Sequence, residues 1–369
     1  MSEATVSSDP WAGVSRFAEE RLVAFAAAAL VASGLGTDEA RRAADFLLIA
    51  DRRGIDSHGV ARLPGFVRRL RANLIDPDAT LTVDRETPVT VALNANNGLG
   101  LLLAPAAMER CIAKAEATGI CLATVRQSNH FGIAGAYALM AAERGLGGLA
   151  MTNASPLVVP VFGATAMLGT NPLAFAVPTG GRPFVLDMST STVAWGKIEI
   201  ARRAGLPIPR GWGVTDDGEP TTDPAQVKWL LPLGGERATS GQKGYGLGLM
   251  VDIFCGLLSG GATSGHVARA TDTGRSQGTG HTFLAWRIDA FRDEAEFRTE
   301  IDGLIAELRA TPAAPGHEGT GVLVPGDPEA DAEARNRRDG IPVRPEVLAE
   351  LHTLASEIDV PFTLDPSGE

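Results

Sequence analysis

ICLATVRQSNHFGIAGAYALMAAERGLGGLAMT, residues 120–152, is the stretch that decides the fold class. Residues 120–125 are apolar and read as a strand. Residues 133–144 carry an alanine-rich helical pattern, and residues 149–152 return to a strand. Between the first strand and the helix stands Ser128-Asn129-His130-Phe131-Gly132. Strand-to-helix loops of this kind carry ligands in α/β proteins. Ser128 or Asn129 is placed to cap the helix. His130 then has two readings, a ligand-facing imidazole or a histidine bonded locally beside the cap.

Working outward, residues 81–93 read as a strand and 105–118 as a helix. Residues 14–32 form a helix stopped by Ser33-Gly34-Leu35-Gly36, and Thr37 is the expected N-cap of a second helix ending near Arg53, with Gly54 as its stop signal. Ser57 is placed to cap a further helical segment through Leu70, broken near Leu63 by Pro64. Downstream, residues 173–177 and 184–187 are strands joined as a hairpin. Residues 192–204 are a helix and 243–258 a long apolar helix. Residues 282–288 alternate like an edge strand; 292–309 and 327–339 are helices. Residues 259–280 and 311–326 read as loops. This is α/β with a mixed sheet.

Composition narrows the function. The chain has 369 residues, 44% hydrophobic and 21% charged, with a formal charge of −11. No basic stripe offsets that acidity, so a nucleic-acid partner is not expected. An anionic substrate needs a local positive pocket. Cys111, Cys121 and Cys255 lack Cys-x-x-Cys spacing and read as free thiols of a reducing compartment. The histidines make no metal-binding spacing, so no metal is expected. Residues 1–10 show neither a basic start nor an apolar core. The alanine-rich run at 24–32 is too short to span a bilayer. A cytoplasmic protein without membrane contact is the expectation.

Three further motifs carry chemistry. Ser57, His58 and Arg62 follow a glycine stop; in a helical turn His58 and Arg62 share a face, where the guanidinium meets a carboxylate and the imidazole its neighbouring atom. Their bland reading is a cap, a surface histidine and a solvated charge. Asp187 ends an apolar strand, where a carboxylate needs a partner; a histidine, whose tautomer it fixes, or a helix N-cap would serve. Lys243, with Gly244, Gly246 and Gly248, suits a phosphate or marks close helix packing. No Gly-x-Gly-x-x-Gly follows a strand, so an ordinary Rossmann fold is not what holds any dinucleotide. The Gly-x-Ser-x-Gly elbow of a serine hydrolase is also missing.

Taken in order, residues 50–64 (ADRRGIDSHGVARLP), 128–132 (SNHFG), 169–175 (GTNPLAF), 187–191 (DMSTS), 220–224 (PTTDP), 243–246 (KGYG) and 325–327 (PGD) closely resemble the malate/L-lactate dehydrogenase family unrelated to the Rossmann-type enzymes. The likeness runs from about residue 14 to 343. It implies a three-layer α/β/α fold with a mixed seven-stranded sheet, and a homodimer. It divides the chain into a helical lobe (1–80), a mixed-sheet cofactor domain (81–310) and a segment (311–369) packing back on the lobe. It further implies NAD(H) or NADP(H) as cofactor. His58 is then the proton donor, with Ser57 and Asp187 as relay partners. Some members assign the base to the position of His130, so both histidines are kept. Arg62, Thr170 and Ser155 become contacts for a small anionic carboxylate. His130, Phe131, Gly132, Ile133, Ala134, Asn171, Asp187, Met188, Ser189, Lys243, Gly244, Pro325, Gly326 and Asp327 become cofactor contacts. The expected reaction is hydride transfer between nicotinamide and C2 of a 2-hydroxy or 2-keto acid. The alternative is reduction of a cyclic or N-alkyl 2-imino acid.

Overall fold

A computed structural model describes residues 14–269, 272 and 274–364. Residues 1–10, read above for a targeting signal, lie outside them. The elements in chain order are β1 (Ser15–Phe17), α1 (Glu19–Val31), α2 (Thr37–Arg52), α3 (Leu63–Arg71), β2 (Thr82–Glu86), β3 (Thr90–Asn94), α4 (Gly100–Thr118), β4 (Ile120–Ser128), α5 (Ala134–Ala142), β5 (Leu146–Thr152) and β6 (Leu173–Val177). There follow β7 (Phe184–Met188), α6 (Trp195–Ala204), β8 (Gly213–Val214), β9 (Pro220–Thr221), β10 (Trp229–Leu230), α7 (Gly241–Asp252), β11 (Thr279–Arg287), α8 (Glu294–Arg309), α9 (Asp327–Asp339), β12 (Ile341–Val343) and α10 (Pro345–Glu357).

The chain divides into two compact units, Met1–Arg71 with Pro328–Glu369, and Ala72–Asp327. The first is mainly helical. Its two chain segments are joined by β1 pairing antiparallel with β12. Helix α1 packs on α2, and α3 on α10. Among the described residues no helix is long and apolar enough to cross a membrane.

The second unit is built on a seven-stranded sheet in the order β2-β3-β4-β11-β5-β6-β7. Only β3 and β4 run parallel; every other neighbouring pair is antiparallel, so the sheet is mixed. Side-chain alternation along β11 shows the layering. His281 and Phe283 point to the face that also receives Phe131 and Tyr137, at the start of α5. Thr282, between them, points the other way, to Cys255 in the π-helical continuation of α7, Ile253–Leu258. Helices α4 and α5 therefore cover one face and α7 the other. A small three-stranded sheet, β10-β8-β9, packs with α6 around Ile198, Val227 and Leu230.

Three local expectations change. The first helix starts at Glu19, because residues 15–17 are drawn into the pairing with β12. Thr37 is the first helical residue and Gly36 the N-cap, with no side-chain cap bond. The stretch read as an edge strand is β11, which lies in the centre of the sheet. Its alternation misleads because the polar positions are satisfied inside the protein: Thr279, His281 and Thr282 are all buried.

Gly280 sets how closely α7 approaches that central strand, since a Cβ there would fall on the Cys255 carbonyl. Gly280→Ala is expected to destabilise the protein by about 1–3 kcal/mol through overpacking. Thermal unfolding should show the midpoint falling by several degrees. An unchanged midpoint would refute the close approach.

Candidate functional site

In the first unit, α2 ends at Arg52, and Gly54 takes the left-handed turn (φ +77°) that stops it. The chain then makes two 3₁₀ turns, Asp56–His58 and Val60–Arg62, joined by Gly59. α3 begins at Leu63 with Pro64 in its first turn, where a proline is tolerated. Ser57 does not cap a helix. Its Oγ lies 2.8 Å from His58 Nδ1. Arg62 is exposed and its Nε donates to the Ser57 carbonyl at 2.6 Å. The three residues singled out from sequence thus form one cluster. Burial pushes the His58 imidazole down to about 4, and the neighbouring Arg62 charge adds to the effect. At neutral pH His58 is an uncharged imidazole.

In the second unit, His130 sits on the loop between β4 and α5. That loop has no regular hydrogen-bond ladder, so side chains and neighbouring backbone hold it. Neither Ser128 nor Asn129 caps α5, whose N-cap is Ile133. Ser128 Oγ instead lies 2.8 Å from His281 Nε2, and Asn129 Nδ2 donates to the Gly98 carbonyl at 2.9 Å. Gln277 Oε1 accepts from His130 N at 3.0 Å, and Gly132 N donates to His130 Nδ1 at 3.2 Å. In the neutral ring that leaves Nε2 as the protonated nitrogen. Phe131 stacks between the rings of His281 and Tyr137, each 4.5 Å away. The start of α4 presses on the same loop: a Cβ at Gly100 would strike the carbonyls of Asn129 and His130.

His281 carries no sequence signal. It is fully buried, and its second nitrogen, Nδ1, lies 2.8 Å from Thr152 Oγ1. Burial pushes it down to about 3. Its partners are more than a hundred positions away in the chain, so no local pattern reveals it.

Asp187 lies in β7, and its Oδ2 accepts from Gly135 N in the first turn of α5 at 2.8 Å. The lack of a side chain at Gly135 permits this approach. Next along the chain, Thr190 N donates to the Thr170 carbonyl at 2.8 Å, and Ser191 Oγ to Ser189 Oγ at 3.0 Å. Asn171 is fully buried; its Oδ1 accepts from Ala154 N, beside Ser155, and its Nδ2 donates to the Gly248 carbonyl. Thr170, Asn171, Ser155, Ser189 and the glycine face of α7 therefore form one neighbourhood. Gly244 and Gly248 are packing glycines, pressed on Leu233 and Thr190. Lys243 stands exposed in the first turn of α7. Gly326 is pressed on Val185 of β7, and Asp327 is clamped by Arg182 and Arg309, each at 2.6 Å. Burial opposes ionisation of Asp327, yet these arginines and the Val324 N–H hold its carboxyl below the usual range.

The first turns of α5 and α7 contain no acidic residue. At α5 the Asp187 carboxylate already takes the Gly135 N–H, so it is the start of α7 whose potential is left to other anions, and Lys243 adds a cation there. These features fit a phosphate-bearing ligand. Among the described residues no group of three or more metal-ligating side chains occurs.

Comparison with known proteins adds the following. The family model described as malate/L-lactate dehydrogenase matches residues 17–352. A malate dehydrogenase from Pyrococcus abyssi is 40% identical over 349 residues, covering 94% of this chain and 95% of the relative. A Δ1-pyrroline-2-carboxylate reductase from Ancylobacter novellus is 35% identical, covering 88% and 93%. The solved structure of malate dehydrogenase from Pyrococcus horikoshii superposes with a TM-score of 0.85 at 37% identity, covering 94% and 96%.

The depressed His281 has a consequence for stability. Its folded value lies below the ordinary 6.5, so between about 3 and 6.5 the unfolded chain binds the extra proton. Its contribution is fully present above 6.5 and is lost as pH falls, by about 1.4 kcal/mol per unit. Urea unfolding at pH 7 and pH 5 should therefore show a shallower acid loss for His281→Gln than for the wild type. Equal slopes would show that His281 is not buried in neutral form.

Proposed function

The chain belongs to the malate/L-lactate dehydrogenase family, and on that premise we propose that it moves a hydride between a nicotinamide dinucleotide, NAD(H) or NADP(H), and C2 of a small 2-hydroxy or 2-keto acid. It is an oxidoreductase of small acids; the particular acid and the dinucleotide are what the proposal adds. The observation that carries it is the His58 cluster. A neutral imidazole, steadied at Nδ1 by Ser57, stands beside an exposed guanidinium suited to a carboxylate.

The residues present fit the cofactor. The acid-free first turn of α7, exposed Lys243 and the braced His130 loop are surroundings suited to phosphates and a carboxamide. His130, Phe131, Gly132, Ile133, Ala134, Asn171, Asp187, Met188, Ser189, Lys243, Gly244, Pro325, Gly326 and Asp327 would hold it. When bound, the reduced nicotinamide supplies the hydride that C2 receives.

The proton is the chain's own work. In the direction of hydroxy-acid oxidation, Ser57 Oγ accepts from His58 Nδ1, and Nε2 takes the hydroxyl proton. In the reverse direction His58 must first be charged, which its environment resists. The substrate supplies the correction. Its carboxylate on Arg62, with Thr170 and Ser155 as further contacts, offsets the Arg62 charge, the smaller of the two causes, after burial, that depress His58. Asp187 is kept as a second partner of the imidazole. His130 is the other candidate acid or base, although its Nε2 carries a proton in the neutral ring and so donates.

A second reading is favoured by the same low value at His58. A cyclic 2-imino acid arrives with its nitrogen already protonated and makes no demand on a charged imidazole. The relative named for pyrroline-2-carboxylate reduction belongs with this reading.

We also take the working form to be a homodimer in the cytoplasm. Leu247, Met250, Ile253 and Leu257 form one exposed apolar stripe on α7 and its continuation, which a second copy would cover. The three cysteines are free, as suits a reducing compartment.

Turnover followed at the reduced-nicotinamide absorbance, with 2-keto acids, piperideine-2-carboxylate, and pyruvate with methylamine, decides between the readings. His58→Ala should cut keto-acid turnover by about 100- to 10,000-fold while fluorescence titration shows dinucleotide binding intact. Unchanged turnover would remove His58 from the chemistry. Arg62→Gln should raise KM for the acid and also raise the pKa of His58. An effect on dinucleotide affinity alone would contradict its role. If the His58 titration is the same in Asp187→Asn as in the wild type, Asp187 is not its partner. Sedimentation at micromolar concentration should give a dimer, and Met250→Glu with Ile253→Glu a monomer.

A further inference from the structure

Asp51 has no role in the proposed function, yet its carboxyl group reaches the backbone between the turns that carry His58 and Arg62. It lies in the last turn of α2 and is 5% exposed. Its Oδ2 accepts from Val60 N at 2.7 Å. Its carboxyl group also lies flat against Gly59, where a Cβ would fall inside it. A side chain at Gly59 would have no room beside that carboxyl group. The carboxyl group is thus wedged at the joint between the turn that carries His58 and the turn that carries Arg62.

We propose that Asp51 is a positioning residue, bracing the Gly59–Val60 joint so that His58 and Arg62 keep a fixed separation. Turns of three residues have almost no internal hydrogen bonds to define them. An outside acceptor on a rigid element does so instead. α2 is such an element: it packs on α1, and Asn336 Nδ2 of α9 donates to the carbonyls of Asp51 and Arg52 at 3.1 Å each. The requirement is for an acceptor of this shape, not for a charge. Burial pushes the Asp51 carboxyl up to about 8, so its neutral form prevails at pH 7. An asparagine, with an amide oxygen in the same place, should therefore serve.

The test uses the full chain and Asp51→Asn, Asp51→Leu and Gly59→Ala. The first arm is an NMR titration of the His58 ring, assigned with His58→Gln, and needs no turnover. Wild type and Asp51→Asn should both titrate far below 6.5. Asp51→Leu and Gly59→Ala should move His58 upward by more than about one unit, as the joint loosens, water reaches the imidazole and Arg62 moves away. The second arm rests on the proposed function of His58. kcat/KM for the acid substrate should fall about 10- to 100-fold in Asp51→Leu with dinucleotide affinity unchanged, and Asp51→Asn should restore it. If Asp51→Leu does not fold, Gly59→Ala decides. A folded Asp51→Leu or Gly59→Ala protein whose His58 titrates as in the wild type overturns the proposal. If the titrations shift as expected but the wild type turns over no acid or imine, the proposed function falls and the bracing stands.

Discussion

Buried polar side chains bonded to irregular backbone are what each histidine loop depends on. Both histidine loops lack a ladder of their own, and a buried N–H or carbonyl left without a partner costs about 1–3 kcal/mol. The fold meets that demand from outside each loop. Around His130, Ser128 reaches His281, Asn129 reaches Gly98, and Gln277 takes the His130 N–H. Because each partner sits on a different strand, helix start or long loop, the loop cannot shift without breaking several bonds at once. Around His58 the same task falls to Asp51, which takes the Val60 N–H.

Titratable groups serve two different ends around these loops. His281 and Asp51 are held in neutral form by burial, one pushed down and the other up, and act as hydrogen-bonding wedges. His58 is also pushed down, but it stands beside an exposed arginine whose charge a ligand can offset. That difference separates a structural histidine from one suited to proton exchange. His281 has both nitrogens engaged by hydroxyls inside the core, so no ligand can alter its charge at modest cost.

Much of the fold was legible because periodicity reports burial. Residues 120–152 read correctly as strand, loop, helix and strand, and the hairpin of β6 and β7 was visible from its turn residues. The family likeness, with its mixed seven-stranded sheet, was legible in short motifs spread along the chain. What failed was inference from polarity. Alternation in residues 282–288 suggested a wet edge, yet Thr282 faces Cys255 across a packed layer. Ser128 and Asn129 suggested a cap, yet both side chains serve long-range contacts. A sequence shows that a polar group needs a partner, but not how far away the partner lies. His281 was missed for that reason, since its bonds span more than a hundred residues, while Asp51 bonds across an irregular joint that has no periodic pattern.

The glycines of α7 show the same limit from the other side. Lys243-Gly244-Tyr245-Gly246 admits both a phosphate cradle and a packing helix, and spacing alone does not separate them. The backbone of Leu233 and the hydroxyl of Thr190 occupy the space that side chains at Gly244 and Gly248 would need. Those two residues therefore let the helix approach the segment after β7, while Met250 and Ile253 on its outer surface stay exposed. Any attraction for an anion in this segment must then come from Lys243 and the unneutralised helix start. A substitution at Gly244 would push α7 away from Leu233, which in turn bonds Thr190.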